Sequence, residues 1–145
     1  MFMFNEDLIP STIARTSDVE EIFTKVEEID SKFVYSTEEQ FIGTWFGKKL
    51  YRKMYRTSIT SGGKHDIVNI SSLNPELCWI NLSHSFLKTS QSSPEFKCLN
   101  FIENDANYYI KGLITENTTV RVFTSSSQYY YGTLYLEINY TKTTD

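Results

Sequence analysis

Two hydrophobic periods divide the chain. Between residues 17 and 33, Val19, Ile22, Val26, Ile29 and Phe33 fall three and four apart, the a/d spacing of a helical seam. Glu20, Glu21, Lys25, Glu27, Glu28 and Lys32 fill the opposite face. Ser17 with Glu20 three residues later reads as a capping box that starts this helix. β-Branched residues at both seam positions lean toward a three-stranded bundle. Two heptads cannot hold a coiled coil unaided, so a bundle must draw support from the segment beyond residue 34 or from a larger assembly. The alternative is an amphipathic helix lying on its own domain. The oligomerising helix is preferred, because a strand-rich segment comes after it as a head sits on a stalk.

From residue 40 the period changes to two. Phe41 to Phe46 and Lys49 to Ile59 read as strands joined at Gly47. A turn at Ser61-Gly62-Gly63-Lys64 leads to Ile67-Val68-Asn69-Ile70, and Asn74-Pro75 marks another turn. Leu77 to Leu87 alternates as one strand, with Cys78, Ile80, Leu82 and Phe86 on one face and Trp79, Asn81, Ser83 and Ser85 on the other. Phe96 to Ile102 reads as a further strand, and Tyr108 to Ile114 with Thr118 to Thr124 as a hairpin around Glu116-Asn117. Tyr129 to Tyr140 closes the pattern, with Tyr130, Leu134, Leu136, Ile138 and Tyr140 alternating against Tyr129, Tyr131, Thr133, Tyr135 and Glu137. The expected fold class is mainly β: an antiparallel β-sandwich, jelly-roll-like, preceded by a short N-terminal coiled-coil helix. Residues 1–16 carry Phe2, Phe4, Leu8, Ile9 and Ile13 without a period, and Pro10 breaks any helix there. They read either as a loose terminus or as a docking segment.

Composition narrows the partners. With 145 residues the chain fits one domain plus an appendage. Fourteen Lys+Arg against eighteen Asp+Glu give a net charge of −4, which argues against nucleic acid as a partner. No apolar run approaches a membrane span, so no membrane insertion is expected. The start has no basic region and meets Glu6 and Asp7 at once, so it does not read as a signal peptide. Cys78 and Cys98 stand in no metal-like or redox spacing and read as two buried, reduced thiols.

Candidate chemistry is sparse. His65 and His84 are the two histidines; His84 falls in the apolar alternation and reads as a satisfied core residue, His65 as a loop residue. No HxH, HExxH or calcium-loop pattern occurs, so no metal site and no cofactor are expected. Glu103, Asp105, Glu116 and Glu137 are the candidates for a glycosidase carboxylate pair, a reading given little weight because the first three fall in polar turns. No catalytic residues are assigned, and the chain is not expected to be an enzyme. The functional promise lies in aromatic surface. Alternation directs outward at least one ring from Tyr108-Tyr109 and one from Tyr129-Tyr130-Tyr131. Tyr109, Tyr129, Tyr131, Tyr135 and Trp79 are the candidate ligand or interface residues, since such rings stack on sugars or fill subunit contacts. Lys48, Lys49, Arg52, Lys53 and Arg56 form a basic strand, which could meet an anionic cell-wall polymer but reads rather as a charge-defended edge.

One segment carries a resemblance. The run from Tyr35-Ser36-Thr37-Glu38-Glu39-Gln40-Phe41-Ile42-Gly43-Thr44-Trp45 to Gly47-Lys48-Lys49-Leu50-Tyr51-Arg52-Lys53 resembles a stretch, YSTxExxxGTWxxGKxLYxK, that opens the distal module of tail fibre, baseplate and head fibre proteins in phages of Gram-positive bacteria. The end, Leu136-Glu137-Ile138-Asn139-Tyr140-Thr141-Lys142-Thr143-Thr144-Asp145, is similar to that module's LEYTKTTD-like closing strand. The chain departs at Phe46-Gly47, where the pattern often has a longer, Asp-containing turn, and at the inserted Ile138-Asn139. The resemblance covers residues 35–145 and implies a virion component, a homotrimer with a β-rich head and no enzymatic activity. The expected organisation is a virion-docking segment over 1–16, a coiled-coil oligomerisation helix over 17–34 and a β-sandwich head over 35–145. The expected function is a fibre-type virion protein, made in the host cytoplasm, that contacts other virion proteins through its N-terminal segment. Its head would adhere to host cell-surface carbohydrate. The alternative is a non-adhesive decoration or bracing protein of capsid or baseplate.

Overall fold

The structure is a computed structural model that describes residues 16–31, 35–102 and 108–144. The chain divides into two compact units, Met1–Val34 and Tyr35–Asp145. Among the described residues of the first unit one helix, α1, spans Thr16–Ser31, with Asp18 in its first turn, where a negative charge complements the helix dipole. A Glu21–Lys25 ion pair at 3.2 Å supports its polar face. Val19, Ile22 and Val26 are exposed, Ile22 by 56%, and Phe23 widens the same apolar stripe. The side chain of Ile29 and all of Phe33, the rest of the expected seam, lie outside the described residues. So does the expected docking segment, apart from Thr16, which opens the helix. No helix among the described residues is long and apolar enough to cross a membrane.

The second unit is built of antiparallel strands in two sheets. The first sheet holds β1 (Gln40–Trp45), β2 (Lys48–Ile59), β4 (Pro75–Ile80), β5 (Phe86–Thr89), β6 (Phe96–Cys98) and β10 (Gly132–Lys142). Its order is β1-β2-β10-β5-β6, with β4 also on β10. The second holds β3 (Gly63–Asn69), β7 (Phe101–Ile102), β8 (Tyr109–Ile114) and β9 (Thr119–Thr124), in the order β3-β9-β8-β7. Leu134, Leu136, Ile138 and Tyr140 of β10 meet Ile59, Leu87, Ile110, Val120 and Val122 in one core. Each such side chain contributes about 1.5–3 kcal/mol through burial. The mainly β, antiparallel reading with one helix therefore holds.

Three expected strands are broken. Leu77 to Leu87 is not one strand. Ile80 pairs with Ile138 and Phe86 with Tyr135, so Asn81 to Ser85 lie where β10 needs only Leu136 and Glu137. The surplus leaves the sheet as a 3₁₀ turn, Leu82–His84, with the Asn81 side chain capping Ser83 N–H at 3.1 Å. Phe96 to Ile102 is also divided. β6 stays in the first sheet and β7 joins the second, the chain crossing at Asn100, whose left-handed φ of 61° and hydrogen bond from Gly112 N–H (2.9 Å) fix the bend. Tyr129 and Tyr130 belong to a 3₁₀ turn, Gln128–Tyr130, ahead of β10. The basic strand is not an edge. β2 lies between β1 and β10, and Arg52 is buried.

Candidate ligand surface

The outer face of the first sheet is set by strand register. Arg52 pairs with Gln40 on one side and Asn139 on the other, and Asn139 with Trp79. Arg56 pairs with Tyr135, which pairs with Phe86. Directly opposed residues share a face. These side chains therefore stand on one side of the sheet, while Leu134, Leu136, Ile138 and Tyr140 fill the core on the other.

Polar groups occupy the middle of this face. Glu137 is only 1% exposed, yet its carboxylate is fully engaged. Asn81 and Asn139 donate side-chain amides to Oε2 at 2.6 and 3.1 Å, and His84 Nδ1 lies 3.0 Å from Oε1. A carboxylate only accepts, so Nδ1 carries the proton and donates it. The Arg52 guanidinium lies 4.0 Å from Oε1, gives a hydrogen bond to Gln40 at 3.1 Å, and sits 4.2 Å below the ring of Tyr35. Tyr35 closes the set, its hydroxyl 3.4 Å from His84 Nε2. Main-chain bonds lock the turn onto β10: Asn81 N–H reaches the Glu137 carbonyl at 2.8 Å, and Ser85 Oγ accepts from Glu137 N–H at 2.9 Å. His84 is satisfied as expected but is not a core residue, since its side chain is 42% exposed.

Aromatic rings flank this polar centre on both sides. At one end Trp45 and Trp79 lie 5.0 Å apart, with Phe46 5.3 Å from Trp45. Phe46 is 92% exposed and adopts a left-handed φ of 48° in the two-residue β1–β2 turn, where Gly47 comes next at 80°. Such a turn favours Asn, Asp or Gly at both positions. At the other end Phe86 stacks on Tyr135 at 5.0 Å and meets Phe96 edge-on at 5.6 Å, with the Arg56 guanidinium 5.5 Å from the Tyr135 ring.

The five sequence-derived surface residues are only partly brought together. Trp79 and Tyr135 share the face just described. Tyr109 stands on β8 of the second sheet, under Lys111 Nζ at 5.0 Å. Tyr129 is exposed on the 3₁₀ turn, and Tyr131 packs against the core. Tyr35, Phe86, Phe96 and the buried Arg52–Glu137 pair were missed. The signal for them is cross-strand register, which pairs residues far apart in the chain and leaves no local period.

Elsewhere, Glu39 accepts from Lys142 Nζ at 2.8 Å and from the Tyr140 hydroxyl. Burial alone would raise the Glu39 carboxyl, but these two donors outweigh it and hold it below the usual range. Burial, then the Glu39 charge, pushes the Tyr140 phenol well up. The thiols are free but not both buried: Cys98 is exposed, while Cys78 is half-buried and its thiol is pushed up by that burial. A groove of about 280 Å³ lies between β4 and β8, walled by Trp79, Ile80, Leu82, Leu113 and Ile114. Among the described residues no three His, Cys, Asp or Glu side chains are grouped to hold a metal ion. Of the four acids weighed for hydrolysis, Glu103 and Asp105 lie outside the described residues, Glu116 is exposed in a turn, and Glu137 is held as above. Compared with protein-family models, curated proteins and solved structures, the chain has no match.

Proposed function

We propose that this chain is a fibre-type structural protein of a phage virion. In this reading residues 1–16 dock on other virion proteins and α1 zips three copies into a coiled coil. The strand-rich unit, a jelly-roll-like sandwich, faces outward and adheres to host cell-surface glycan through many weak contacts. The reading rests on the resemblance of residues 35–53 and 136–145 to the distal module of phage fibres. The single structural observation that supports it is the exposed stripe of Val19, Ile22 and Val26 along α1. Two heptads of such a stripe are marginal alone but productive in company. The aromatic outer face of the first sheet supplies the adhesive surface, because rings with nearby hydroxyl and amide groups suit sugars.

A second reading, a bracing protein without a ligand, is favoured by the 16-residue length of α1, which is short for a projecting shaft. Light scattering on the full chain tests the shared premise: a trimer is expected, and Ile22→Asp should return it to monomer. A wild-type monomer at micromolar concentration overturns the avidity argument. Retention on Gram-positive cells after dilution then separates adhesion from bracing.

A further inference from the structure

The end of the outer face that carries Phe96 has a composition the rest lacks. Strand register lays out two adjacent rows. Ser58, Thr133, Lys88 and Phe96 oppose one another across β2, β10, β5 and β6, and Arg56, Tyr135 and Phe86 do so in the next row. At the usual strand spacing the longer row runs about 14 Å, enough for an oligosaccharide. Phe96 is 64% exposed, and its cross-strand partner is Lys88. Neither Lys88 nor Arg56 meets a carboxylate within 4 Å among the described residues. The two nearest acids along these strands are already held, Glu137 by its buried partners and Glu95 by Lys97 at 2.8 Å. Two exposed cations, the aliphatic hydroxyls of Ser58 and Thr133, and the open Phe96 ring therefore share one strip with no acid in either row, on a chain whose net charge is −4.

We propose that this strip is a binding site for an anionic glycan, one bearing phosphate or carboxylate groups. A sugar or polyol face lies on Phe96, and its anionic groups meet Lys88 and Arg56. Ser58 and Thr133 hydrogen-bond hydroxyls between them. Rings contribute contact only to a ligand with a carbon face, and cations only to one with charge. The strip thus selects for both features together. The biological use of this binding rests on the adhesive reading above; the binding itself does not.

The test is titration calorimetry on the full chain with four probes. Poly(glycerol phosphate) and polygalacturonate are the anionic glycan arms, dextran is a neutral sugar, and inorganic polyphosphate is charge without carbon. At least one anionic glycan should bind, about tenfold or more tighter than dextran or polyphosphate. Phe96→Ala, Lys88→Gln and Arg56→Gln should each weaken it about fivefold or more, while Lys64→Gln on the second sheet leaves it unchanged. Whether phosphate or carboxylate is preferred is read by comparing the two glycan arms. Binding of neither anionic glycan, equal binding of polyphosphate, or indifference to Phe96→Ala overturns the proposal. So does a change of oligomeric state in these variants by light scattering, which would make the strip a subunit contact. If the wild type and all three variants adhere equally to Gram-positive cells, adhesion stands and this site falls. If the probes bind as expected but no cells are retained, the site stands and the adhesive reading falls.

Discussion

Replacing Arg52 by Leu should be among the most damaging single changes in the strand-rich unit. Its side chain is 6% exposed and that of Glu137 2%, so the mutation strands a carboxylate in the interior. Breaking a buried pair from one side costs about 3–5 kcal/mol. The lower figure applies here, because Asn81, Asn139 and His84 still donate to Glu137. Glu137→Leu leaves Arg52 buried with Gln40 and should cost a similar amount. The double variant removes both charges and should lose less than the two single losses summed, with a coupling of about 2 kcal/mol. Urea denaturation at fixed protein concentration is the assay. Both tryptophans, Trp45 and Trp79, sit on this same face, so fluorescence reports the site directly. At a typical slope of about 1–3 kcal/mol per molar, the midpoint for Arg52→Leu should fall by about 1–3 M. Single variants that each cost less than about 1 kcal/mol and simply add would refute the reasoning, since they would mean the carboxylate is hydrated and the pair is not a unit.

Other places in the unit give further expected outcomes. Gly132→Ala would put a methyl carbon 2.0 Å from the Lys88 carbonyl oxygen, so β10 must part from β5; a loss of about 2 kcal/mol or more in the same titration is expected. Phe46→Asn should raise stability by about 0.5–1 kcal/mol, because Asn tolerates the left-handed turn and a ring this exposed contributes little packing. Glu39 has its carboxyl lowered in the folded state, so its contribution is full above the ordinary glutamate range and fades as pH falls through the depressed value. Glu39→Gln should therefore melt earlier than wild type at neutral pH and converge with it in acid.

The change of period near residue 40 is enough to separate a helix from a β unit and to place β1, β2, β8 and β9, because a helical stripe and a strand alternation are local patterns. β10 is legible as well, but only one of its faces. The sequence puts Glu137 opposite the core, which suggests solvent; the structure buries it, with Asn81 and His84 on its carboxylate and Tyr35 over the neighbouring Arg52. Nothing within ten residues of Glu137 announces that cover, because it comes from segments about fifty and a hundred positions away. For the same reason Leu77 to Leu87 misleads: its alternation is real, but β10 offers too few partners to keep all of it in the sheet. The candidate surface residues Trp79 and Tyr135 are legible as outward rings. That they share a face with Phe86 and Arg56, and that Tyr109 does not, is a matter of register alone.

β10 joins β2 on one side to β4 and β5 on the other, so the halves of the first sheet meet only through it. During synthesis this strand leaves the ribosome after every element it must bridge. The earlier strands of the first sheet can form little more than the β1–β2 and β5–β6 hairpins until Lys142 has emerged, whereas α1 is complete long before. On the proposed reading, in which α1 gathers copies, neighbouring nascent chains on one message are tethered by their helices while their first sheets are still open, each holding a vacant slot that fits the same strand of any copy. Exchange of β10 between tethered copies is the characteristic misassembly such an order of events invites.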